Sequence, residues 1–167
     1  MDIGSLLTKI GLSASLAQDV SLLIVVTLAS FVFGMFLGRY KLITILINIY
    51  AAYAVMLNVP EKYFTEYTYK LIFFLAGVVG LTLLSRQLFE VYISGSGPRF
   101  LWRVFVMSFF EIGLMLSIVL TIIPQKIASE YISSTAFEYL ATENARLAWM
   151  VLPMICLFFV SKYLNRE

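Results

Sequence analysis

The stretch VFVMSFFEIGLMLSIVLTII, Val104 to Ile123, decides the fold class. At a rise of about 1.5 Å per residue a helix of this length covers roughly 30 Å, the thickness of the hydrocarbon layer of a bilayer, and Pro124 stops it there. One residue does not fit. Glu111 is a carboxylate with no other charge between Val104 and Gln125. Insertion scales put a charge at the centre of a span at about 2.5–3.5 kcal/mol unfavourable, so such a residue is expected to face other helices or water rather than lipid.

The composition agrees with a membrane setting. Hydrophobic residues make up 61% of the 167-residue chain and charged residues 13%, against about 45–50% and 25% in soluble domains. Mean hydropathy is +0.92. A net charge of +2, with no cluster of lysine and arginine, gives no nucleic-acid surface. The single Cys156 excludes a disulfide within one chain. Histidine is absent, which removes His-based acid–base catalysis, His–metal ligation and the commonest nucleophilic triads. With no glycine-rich phosphate cradle, metal-ligand spacing or nucleophile motif either, the chain is expected to be non-enzymatic and to carry no cofactor.

The hydropathy pattern predicts an all-α bundle of about five transmembrane helices, over residues 20–37, 42–59, 71–85, 104–123 and 147–161, with residues 1–19 as a separate amino-terminal segment. The first apolar run begins only after Asp19 and lacks a basic leader, so it is expected to be retained as a span. Seven lysines and arginines (Arg39, Lys41, Arg86, Arg99, Arg103, Lys162 and Arg166) fall on one side of this topology and five on the other. The positive-inside rule then predicts an amino terminus outside and a carboxyl terminus in the cytoplasm. Ile3, Leu6, Leu7 and Ile10 recur at helical spacing and predict an amphipathic helix on the membrane surface. RQLFEVYISGSGPRF (86–100) reads as a cytoplasmic interfacial helix and turn. TAFE, Thr135 to Glu138, has the spacing of a capping box and predicts a short outer helix starting there. Trp102 and Trp149 sit near span ends, where an interfacial belt places them.

Ser30, Gly34 and Gly38 are spaced by four, so their small side chains share one helix face and allow close approach of a neighbour. Ala76, Gly77 and Gly80 offer a second such patch, and Thr44, Asn48, Ala51 and Ala52 a third. Asn48 lies mid-span and is expected to face protein. Glu111 shares its face with Ser108, Leu114 and Met115, and Asn48 is its natural partner from another helix. Two readings stay open: a proton or cation site, or a neutral structural acid bonded across a helix interface or to a partner subunit.

A first span ending in glycines and a basic corner (GMFLGRYK), a small-residue second span (ILINIYAAYAV), a third span, and a stretch with a glycine turn and arginine (ISGSGPRF) entering a fourth resembles the colicin V production protein family of bacterial inner-membrane proteins. The resemblance covers about residues 20–124 and carries over Gly34, Gly38 and Arg39 as a corner motif, with Lys41 beside it. The fourth span differs in holding only Gly113 where the family repeats glycines. The resemblance implies a role in export or envelope physiology at the inner membrane of a bacterium. A small bundle with one intramembrane acid points to a subunit or scaffold of a membrane assembly, its partners being the lipid bilayer and other membrane subunits or further copies of itself. The alternative is a homo-oligomeric channel or transporter in which Glu111 from several copies lines a path.

Overall fold

The computed structural model describes residues 11, 13–37, 41–85 and 98–164. All regular structure among them is helical. In chain order the elements are α1 (Ala14–Leu37), α2 (Leu42–Asn58), a 3₁₀ turn (Glu61–Tyr63), α3 (Tyr67–Ser85), α4 (Pro98–Ile122), the single turn α5 (Gln125–Ala128), α6 (Ser134–Ala141) and α7 (Glu143–Leu164). The breaks fall where the backbone demands them. Pro60 and Pro124 have no N–H to continue a helix and hold the preceding residue extended, so α2 and α4 end just before them.

Three helices are long and apolar enough to cross a membrane: Ala14–Phe36 within α1, Tyr67–Ser85 (α3) and Leu101–Ile122 within α4. The chain is thus a helical membrane protein. The expected second span, α2, is equally apolar but has 17 residues, roughly 25 Å of helix. The expected fifth span lies inside the longer α7, which has 22 residues and carries Glu143 and Arg146 at its start. The expected fourth span is extended backwards, since α4 begins at Pro98, a residue whose fixed φ suits the first helical position. The amino-terminal amphipathic stretch, the corner residues Gly38 and Arg39, and residues 86–97 of the expected interfacial helix lie outside the described residues.

α4 is the hub and packs on α1, α2, α3, α6 and α7, while α2 and α3 form the tightest pair. Its buried residues Val104, Met107, Glu111, Leu114 and Ile118 follow one another at three- and four-residue steps, with buried Ser108 beside Met107, a single stripe down the helix. Leu42, Ile45, Ile49, Tyr53 and Met56 of α2 and Phe74 and Val78 of α3 close over it to form the main core. α1 is apolar all round, as a lipid-facing span must be. Only Ala17, Ser30 and Gly34 of α1 are buried, whereas Leu23, Leu28, Phe31, Met35 and Phe36 are exposed.

Candidate functional site

Glu111 occupies the middle of the buried stripe of α4 and is 0% exposed. Neither of its carboxyl oxygens has a hydrogen-bond partner among the described residues, and the same holds for the Ser108 hydroxyl one turn earlier. Residues three apart on a helix share a face, so two unpaired polar groups lie together inside an otherwise apolar stripe. Gly34 of α1 covers this place. A Cβ on residue 34 would stand 2.8 Å from Ser108 Oγ and 3.2 Å from Val104, so only glycine lets α1 settle there. Ser30, one turn earlier on α1, is also fully buried and donates to its own Val26 carbonyl at 2.6 Å. The expected contact face of α1 is therefore real for Ser30 and Gly34, and it is pressed against the glutamate's helix.

Asn48 does not meet Glu111. Its amide donates to Thr82 Oγ1 at 3.2 Å and accepts from Ser85 Oγ at 3.1 Å, both on α3. The expected partnership is corrected: α2 turns Asn48 toward α3, one or two turns of which supply two hydroxyls, and that pairing satisfies the amide without the glutamate. The same interface explains Gly77, where a Cβ would sit 3.3 Å from Ala52. Ala76 is exposed and Gly80 has open space around it, so these two do not belong to the α2–α3 contact. Lys41 stands before α2, where its carbonyl accepts from Ile45 N–H at 2.8 Å.

Tyr50 of α2 and Pro153 and Trp149 of α7 add contacts whose partners the sequence pattern does not give. Tyr50 on α2 lies within electrostatic range of Glu111 and donates its hydroxyl to the Met150 carbonyl of α7. Pro153, fully buried, has no N–H for the Trp149 carbonyl, which loosens the ladder of α7 next to the carbonyl that Tyr50 takes. Trp149 lies across Gly113, so that a Cβ there would run into the indole. Its ring packs on Phe109 and Phe110 with centroids 6.4 Å away in each case, and its Nε1–H donates to the Tyr139 carbonyl at 3.0 Å. Trp149 thus forms a wedge between α4, α6 and α7. Gly113, the one glycine in the fourth span, was the available signal for it.

The helix ends near Asp19 are joined by polar contacts. Ser133, not Thr135, is the N-cap of α6: its Oγ accepts from Ala136 N–H at 3.0 Å. The expected capping box does not form: Ser133 has Ala136 rather than an acid three residues on and caps the helix alone, and it gives its own hydrogen to Asp19 of α1, a partner no local spacing reveals. Ser117 of α4 donates to the Leu140 carbonyl at 2.6 Å. Among the described residues no group of histidine, cysteine, aspartate or glutamate side chains is placed to hold a metal ion.

Fold and site together define an all-α membrane bundle whose central helix keeps one carboxyl group buried and, among the described residues, without a hydrogen-bonding partner. Comparison with models of protein families, with curated proteins and with solved structures finds no match.

Proposed function

We propose that this chain is a non-enzymatic integral subunit or scaffold of a bacterial inner-membrane assembly, serving export or envelope maintenance. The observation that carries this reading is how the internal polar groups are used. Asn48 with Thr82 and Ser85, Tyr50 with Met150, Ser117 with Leu140, and Ser133 with Asp19 each tie one helix to another. They do not converge on a common point where a substrate would react. The likeness to the colicin V production protein family supports the bacterial inner-membrane and export setting. In this reading α2 and α7 cross the bilayer as the second and fifth spans, since a short apolar helix is accommodated by local thinning and flanking residues snorkel. The amino terminus is outside and the carboxyl terminus cytoplasmic.

Gentle extraction from the native membrane followed by native mass spectrometry tests this. A second, stoichiometric membrane subunit is the expected result, and a chain found only alone or only with copies of itself overturns the assembly reading. A reporter fused after Glu167 is expected to behave as cytoplasmic, and an external signal overturns the topology.

A second reading, a channel or transporter with Glu111 as its proton or cation site, is favoured by the unpaired carboxyl. Glu111 is enclosed by its own chain, so a path using it runs through a single protomer rather than between copies. Proton or cation flux in proteoliposomes that is lost in Glu111→Gln, with folding unchanged, is what this reading expects.

A further inference from the structure

Between α1, α4, α6 and α7 the bundle leaves a half-open cavity of about 320 Å³. Its walls are Leu22 and Val26 of α1, Phe109 and Leu116 of α4, Ala136 of α6 and Trp149 of α7, and Asp19 stands at its outer end. Along α1 the lining runs from Asp19 to Val26, seven residues and so roughly 10 Å of depth. The walls are hydrocarbon and aromatic, α1 beside them is a helix with most of its apolar side chains exposed, and the volume falls within the range of small-ligand sites. The substance at hand to enter such a groove from the side is an acyl chain.

The rim selects the headgroup. Asp19 is partly buried and accepts one hydrogen bond, from Ser133, whereas a carboxylate has about four lone-pair sites. An anionic headgroup placed there would meet a like charge, while a primary ammonium brings one opposite charge and three N–H donors. Thr135, exposed beside Asp19 on the same lining, offers a hydroxyl to the phosphate of that headgroup. We propose that this cavity is a binding site for the acyl chain of an ethanolamine phospholipid, with its ammonium on Asp19. The site rests on the membrane-spanning reading of α1 and α4 and is independent of any assembly partner.

Trp149 makes the proposal measurable, because its ring forms one wall of the cavity and the chain has one other tryptophan, Trp102. In a Trp102→Phe background, purified protein is placed in phosphatidylcholine vesicles containing equal fractions of either phosphatidylethanolamine or phosphatidylglycerol with brominated chains, which quench indole fluorescence on contact. The ethanolamine lipid is expected to quench about two- to fivefold more efficiently at low fractions, the preference that a single exposed charge pair supplies. Asp19→Asn is expected to abolish that preference while leaving quenching by both lipids. Filling the cavity with Ala136→Phe, or from the opposite wall with Leu22→Phe, is expected to remove most of the quenching in whichever variant keeps its thermal stability. Equal quenching by the two lipids in the parent overturns the headgroup assignment, and undiminished quenching in the filled variants overturns the site. Neither result bears on whether a foreign subunit is present.

Discussion

The indole of Trp149 lies where a side chain on residue 113 would begin, so Gly113 and Trp149 together fill a space made for one side chain. Replacing Gly113 by alanine forces the ring off α4 or the helix away from the ring. Overpacking of this kind costs about 1–3 kcal/mol, and the Trp149 bond to Tyr139 is expected to weaken with it. Thermal unfolding in detergent is expected to show Gly113→Ala less stable than the parent, and Trp149→Phe in the same chain to recover part of the loss. Additive losses in the double variant would mean the two residues do not share the space.

Among the described residues Glu111 has no hydrogen-bond partner to lose. Removing a polar group whose oxygens are unpaired and buried is near neutral or stabilising, whereas removing one member of a bonded pair leaves the other unsatisfied at a cost of about 1–3 kcal/mol. Glu111→Met, unbranched and close in volume, is therefore expected to fold with unchanged or raised thermal stability. A marked fall would show that the carboxyl holds a bond to something in the membrane.

Asn48 gives the opposite expectation. Asn48→Ala breaks two bonds to α3, and interhelical hydrogen bonds in membranes contribute about 0.6 kcal/mol each on average, so a loss of roughly 1 kcal/mol or slightly more is expected. Double-mutant cycles with Thr82→Val and Ser85→Ala isolate the coupling. Zero coupling in both cycles would remove the asparagine from the α2–α3 seam.

Ser133 carries two bonds of different kinds, and substitution separates them. Ser133→Ala loses the cap of α6, worth about 1 kcal/mol, and the tie to α1. Asp19→Ala loses the tie alone. Hydrogen exchange of the amides at the start of α6 is expected to rise strongly in Ser133→Ala and little in Asp19→Ala. Equal exchange in the two variants would contradict the cap.

The sequence reveals the helices and conceals how they face one another. Lipid requires a span to be long, apolar and internally hydrogen-bonded, so hydropathy together with Pro60 and Pro124 was enough to place the helices, and the lone charge at Glu111 was enough to send it inward. Partner choice depends on the rotation and depth of two helices at once, which no one-dimensional spacing records. Asn48 found Thr82 and Ser85 in this way. The cap of α6 is Ser133 rather than Thr135, and its second bond reaches Asp19 in α1, a partner distant in the chain. Gly34 was legible as a contact, and that its neighbour would be Ser108 on the glutamate's helix was not.

The bond from Tyr50 to the Met150 carbonyl joins residues 100 positions apart, and it fixes an order of events during synthesis. Tyr50 leaves the ribosome well before Met150 has been made, so its phenol precedes its final acceptor. Arrival of α7, with the ladder of that helix loosened by Pro153, supplies the acceptor. A chain interrupted before α7 would hold the Tyr50 hydroxyl without the acceptor that the folded bundle gives it.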